Sequence, residues 1–130
     1  MTRIIVDGMN VIGARPDGWW RDRDAAVWRL LRRLQDASAR SGDAFTLVLD
    51  GRPIADIAEG EHERVDVRYA RRGGRNAADD RIVELVAAAP DAAELLIVTS
   101  DRDLVDRVSA RGAATEGAGT FLRRLESLGA

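Results

Sequence analysis

The 130-residue chain contains no cysteine, which excludes disulfides, thiolate metal sites and cysteine nucleophiles. Lysine is absent as well, so all 20 basic residues are arginines. That usage fits phosphate recognition and equally a GC-rich coding bias. A single histidine, His62 in a polar stretch, leaves little imidazole for zinc. No apolar run approaches the roughly 20 residues that cross a bilayer, and the stretch before Asp7 is too short for a secretory h-region. The expectation is a cytoplasmic protein without a membrane partner. Excess charge of one sign is also missing: 20 bases against 22 acids give a net charge of −2. Taken alone, that balance argues against a nucleic-acid partner.

What is present describes an ordinary globular chain, 45% hydrophobic and 32% charged, with length for one core and a single domain over 1–130. Arg3–Val6 is a short β-branched run closed by Asp7-Gly8 and predicts a buried strand. Val27, Leu30, Leu31 and Leu34 predict an amphipathic helix over about 23–40, stopped at Ser41-Gly42-Asp43. Phe45–Leu49 predicts a second buried strand, and a polar stretch with Pro53 and Gly60 leads to an edge strand at Val65–Tyr69. A loop at Arg71–Arg75 precedes a helix marked by Ile82, Leu85, Val86 and Ala89, which ends before Pro90. Leu95–Val98 predicts a strand and Leu104, Val105 and Val108 a helix. A weak strand near Ala113–Thr115 and a helix carrying Phe121, Leu122, Leu125 and Leu128 follow. Alternating strands and helices imply right-handed crossovers and a mainly parallel sheet covered on both faces, a three-layer α/β/α domain.

In such sheets ligands bind beyond the carboxyl ends of the strands. Three strands run directly into Asp7, Asp50 and Asp101, so these acids are expected at one edge. Asp79 opens the helix after the third strand and Asp103 lies in the first turn after Asp101, which places both at that edge. Crowded carboxylates repel, and burial without a partner raises their pKa or costs several kcal/mol. A divalent cation resolves the conflict, and an all-oxygen set suits Mg²⁺ or Mn²⁺. The remainder of the chain then moves from −2 to +2 once the four aspartates 7, 79, 101 and 103 are set aside. The same acids have simpler uses: Asp50-Gly51 as a turn, Asp79-Asp80 at a helix dipole, Asp101 or Asp103 as a cap in competition with Ser100. Asn10 hydrogen-bonds to Asp7, orients a metal-bound water or closes the turn.

Ile5-Val-Asp7-Gly-Met-Asn10-Val-Ile12, Asn76-Ala-Ala-Asp79-Asp80-Arg-Ile82 and Val98-Thr-Ser-Asp101-Arg-Asp103 together resemble the motifs of the NYN domain in its YacP-like branch, a relative of the PIN-domain nucleases. The three blocks occur in the family's order and span nearly the whole chain. The resemblance implies a PIN-like sheet of five strands ordered 3-2-1-4-5 and a Mg²⁺-dependent endoribonuclease. It carries the metal-site acids to Asp7, Asp79 and Asp101, with Asp103 as a fourth and Asn10 as the polar helper. Asp50 occupies a strand end where members of this branch often carry an acid. Met9 stands where the family's first motif has tyrosine, and the basic residues here are arginine throughout.

Substrate contacts are expected from Arg68, Arg71, Arg72 and Arg75, which surround Tyr69 and a Gly-Gly pair just ahead of Asp79; arginine suits phosphate and an aromatic face suits an unpaired base. Arg102 and Ser100 flank the same acids. Trp19-Trp20-Arg21 with Arg23 offers a second stacking platform, or packs against Trp28. The expected partner is RNA, single-stranded or presented by a ribosome. The competing readings are an RNA- or ribosome-binding module with little catalysis and a PIN-type toxin held by an antitoxin. A receiver or phosphatase is disfavoured, because the receiver's paired acids and lysine and the phosphatase Asp-x-Asp on the first strand are missing. Oligomeric state is open.

Overall fold

The structure, a computed structural model, describes residues 2–70, 73–74 and 76–130. Strand β1 (Arg3–Asp7) sits mid-sheet because it is apolar on both sides: Ile4 and Val6 join one core cluster and Ile5 the other. It pairs in parallel with β2 (Ala44–Leu49) on one side. β2 pairs in parallel with β4 (Val65–Tyr69), against which the short β3 (Gly60–His62) runs antiparallel. On its other side β1 pairs in parallel with β5 (Leu95–Val98), and β5 with β6 (Ala114–Glu116). The sheet order is β3-β4-β2-β1-β5-β6.

Helices α1 (Gly8–Gly13), α2 (Arg23–Ser41) and α5 (Ala118–Ser127) cover the face carrying Ile4, Val6, Phe45, Leu47 and Leu49. Helices α3 (Ala77–Ala88) and α4 (Arg102–Ser109) cover the face carrying Ile5, Val48 and Ile97. α2 buries Val27, Leu30, Leu31 and Leu34 as its period requires. The Asp22 side chain caps its start by accepting from the Ala25 amide, and Gly42 at φ 78° ends it in the left-handed region.

The three-layer α/β architecture stands as expected, and two details of the sheet are corrected. Among the described residues there are six strands instead of five, and the order gains a member: β3 flanks β4, so Val65–Tyr69 is not the edge. Gly60-Glu-His62 carries no apolar residue that would announce a strand. Its turn to β4 uses Glu63 and Arg64 at φ 42° and 76°, without the Asn-Gly pair that usually marks such a hairpin. The short α1 was also silent: six residues with glycine at both ends are too few to show a helical period. Among the described residues no helix is long and apolar enough to cross a membrane.

Candidate functional site

Strand alternation aims Asp7 toward the α3–α4 face, two residues after Ile5, which packs there. α1 starts with no intervening loop, and this tight exit depends on Gly8: a Cβ there would lie 2.7 Å from Leu49 Cδ2, 2.9 Å from Leu47 Cδ1 and 3.0 Å from the Val48 carbonyl oxygen. Asp7 occupies the N-cap position of α1 yet makes no capping hydrogen bond. Its Oδ2 accepts from the Thr99 hydroxyl at 2.8 Å, and Oδ1 has no hydrogen-bond partner among the described residues. The same Thr99 oxygen accepts from the Asp101 amide at 3.1 Å, so one buried hydroxyl ties the end of β1 to the exit of β5. Beside it the Asn10 side-chain carbonyl accepts from the Ser100 amide at 2.8 Å.

Asp79 lies in the first turn of α3 and is 7% exposed. Its carboxylate makes no hydrogen bond and no ion pair among the described residues. Its neighbour Asp80 is held by Arg107 at 3.0 Å. Asp101 opens α4, where Oδ1 accepts from the Leu104 amide at 3.1 Å, while Asp103 is exposed in the same first turn.

Burial, opposed in part by the Thr99 hydrogen bond, raises the Asp7 pKa to about 6, and the charges of Asp79, Asp50 and Asp101 add to the rise. Burial likewise raises Asp79 to about 6; Asp101, Asp80 and Asp103 push it up and Arg107 pulls it down. Asp7, Asp50, Asp79, Asp101 and Asp103 therefore share one field at the carboxyl edge of the sheet, with repulsion only partly offset at its two most buried members. Among the described residues no three acidic side chains are placed, as they stand, to hold a metal ion together, so the expected cluster of Asp7, Asp79, Asp101 and Asp103 is not gathered around one point. A hydrated Mg²⁺ takes an open set, since it keeps several waters and needs only one or two carboxylates. The donors are all oxygen and two, Asp7 and Asp79, are buried without an ion pair among the described residues, so the residues present fit such a cation.

The expected substrate contacts divide. Arg102 is exposed on α4 and makes no ion pair among the described residues. Ser100 spends its hydroxyl oxygen on the Ala118 amide at the start of α5, 2.9 Å away. Arg68 bonds Asp66 at 3.0 Å and lines a cleft with Arg3, Thr46 and Arg64, at the end of the sheet where β1 and β2 begin. The stacking role expected of Tyr69 is overturned: the ring is 8% exposed, and its hydroxyl donates to the Ile57 carbonyl at 2.6 Å and accepts from the Ile54 amide at 3.2 Å. Arg71, Arg72 and Arg75 lie outside the described residues. Trp19 packs against the core, whereas Trp20 is 57% exposed.

Three contacts were not anticipated. Thr99 was visible in the Thr-Ser-Asp101 run, but nothing in a lone threonine shows which carboxylate it will meet. Arg107 sits two turns into α4, where only the packing of α3 on α4 brings it to Asp80. Arg23 donates to the Arg52 carbonyl at 3.1 Å and to that of Asp50, fixing the loop that follows β2.

A family model for the YacP-like NYN domain matches residues 4–129. The crystal structure of a mutant of Rae1 (YacP) from Bacillus subtilis superimposes with a TM-score of 0.79 at 26% identity, over 98% of this chain and 77% of that one. A second structure of Rae1 (YacP) from Bacillus subtilis gives 0.79 at 24% identity, over 98% and 75%, and speaks to the fold alone. No curated protein matches. With all but the chain's extreme ends inside the family model, this protein belongs to the YacP-like NYN domain family of PIN-like nucleases.

Proposed function

We propose that the protein is a Mg²⁺- or Mn²⁺-dependent endoribonuclease that hydrolyses RNA phosphodiester bonds at the Asp7–Asp79–Asp101 edge. The observation that carries this reading is Asp79: a carboxylate 7% exposed, without a hydrogen bond among the described residues, raised to about 6 beside three other acids. A purely structural acid would be paired or solvated. Asp7, Asp79 and Asp101 would hold the cation, with Asp50 and Asp103 adding negative field around it. When bound, the cation would supply charge neutralisation at phosphorus and acidify a water molecule.

The chain's own groups have separate tasks. Thr99 holds Asp7 in place and keeps it more acidic than burial alone would allow. The Asp101 cap bond fixes one carboxylate oxygen and leaves the other for the site. Asn10 is anchored through its carbonyl and keeps two N–H donors for a phosphate oxygen or a water. Arg102, with no ion pair among the described residues, would supply a guanidinium for a phosphate. The substrate on this reading is RNA, single-stranded or offered by a ribosome.

The direct test is total RNA incubated with wild type and with Asp101→Asn, each with Mg²⁺ or with EDTA. Asparagine caps a helix as well as aspartate does, so the exchange removes charge and spares the fold. Fragments are expected from wild type plus metal alone. Equal cleavage by the variant removes the catalytic assignment, and binding of RNA without cleavage by either protein favours a binding module.

A further inference from the structure

We infer that Trp20 is a stacking platform for an unpaired base of the RNA, set beside the acidic edge on the β2 side; this rests on the nuclease reading above. Trp20 is the exposed large hydrophobic side chain among the described residues, at 57%. It stands in a 3₁₀ turn, Trp19–Arg21, between α1 and α2. The turn is built to present it. Gly18 enters at φ 79°, the Asp17 carboxylate accepts from the Trp19 amide at 3.2 Å, and Trp19 anchors against the core. The two rings meet edge to face, centroids 6.1 Å apart at 86°. That single contact leaves at least one face of Trp20 open.

Position separates this ring from a stray surface tryptophan. The turn runs directly into the α2 cap at Asp22, and Arg23 bonds the carbonyls of Asp50 and Arg52. α2 therefore begins at the edge where β2 delivers Asp50 among the site acids. Arg21 lies exposed next to Trp20 in the same turn and offers a guanidinium for the adjoining phosphate. The other candidate rings are engaged: Trp28 is covered by Arg32, whose guanidinium carbon lies 5.9 Å from the ring centroid, and Tyr69 is buried. Every base has a π face, so the platform would select unpaired nucleotides over duplex without choosing a sequence.

The test measures binding of fluorescent RNA to the non-cleaving Asp101→Asn protein with Mg²⁺, comparing W20A and W20F in that background. Exposure of the ring predicts an unchanged circular dichroism spectrum and melting temperature. An unstructured oligonucleotide should bind W20A about 5- to 150-fold more weakly, the range for loss of one base–aromatic stack, and W20F within about threefold of the parent. A blunt duplex should bind all three alike. In the otherwise wild-type enzyme, W20A should raise KM with little change in kcat. Unchanged single-strand affinity in W20A, or an equal loss on duplex, overturns the platform and leaves the nuclease reading intact. A parent that binds neither RNA overturns both.

Discussion

Asp7 carries a cost in the folded state, because burial and neighbouring acids disfavour its charge. Its folded pKa of about 6 lies above the ordinary 3.8, so the folded state binds the proton more tightly than the unfolded chain. Without metal, that group's contribution is fully present below pH 4 and is lost as pH rises toward 6, by about 3 kcal/mol once both states are ionised. Asp7→Asn should therefore melt higher than wild type at pH 8 in EDTA, should lose that advantage near pH 4, and should not cleave RNA. Differential scanning calorimetry at the two pH values checks the sign. Thr99 makes the complementary case. Thr99→Val keeps the shape but removes the donor to Asp7 and the acceptor for the Asp101 amide. Manganese titration should show affinity lower by about 10- to 100-fold, the usual effect of losing a group that orients a ligand, and Thr99→Ser should recover most of it.

At the scale of elements, the β1–α1 junction decides whether the acids meet. A methyl group at Gly8 would press on the Val48 carbonyl and two leucines, and only the side chains have room to yield. Gly8→Ala should cost about 1–3 kcal/mol, as overpacking does, and should lower cleavage beyond that loss, because α1 carries Asn10 and follows Asp7 directly. The β3–β4 turn points the other way. Glu63→Asn with Arg64→Gly suits the positive φ values and should raise the melting temperature by a few degrees. These two places also mark the limit of what the residues announce. Buried strands such as Leu95–Val98, and helices with a clear period such as α2, are legible because each residue's burial repeats along the element. The acids at 7, 50, 79 and 101 were placeable for the same reason, since parallel strands must all end at one edge. What stayed hidden depends on contacts between elements: the hairpin held by Glu63 and Arg64, Thr99 between two strand ends, Tyr69 turned inward to the Ile54–Ile57 loop, and Arg107 reaching Asp80 from α4.

Over the whole molecule, charge is distributed so that a net of −2 hides a concentrated acidic edge beside arginine-bearing helices. Repulsion at that edge makes the metal-free fold weaker as its acids ionise, and a cation that binds the ionised set should reverse the trend. On the proposed reading the folded protein would bind the metal and the unfolded chain would not, so a cation at ten times its Kd should stabilise by about 1.4 kcal/mol, roughly 5 °C for a chain of this size. That gain should appear at pH 8, where Asp7 and Asp79 are charged, and vanish near pH 5, where protons at groups titrating about 6 compete with the metal. Melting curves at the two pH values, with Mn²⁺ or with EDTA, should therefore cross in their pH dependence: stability falling from pH 5 to pH 8 without metal, and held level or rising with it. The Asp101→Asn protein should follow the metal-free trend in both solutions. Parallel pH dependences in wild type, whatever the absolute melting temperatures, would mean that the buried acids are relieved by something other than a divalent cation.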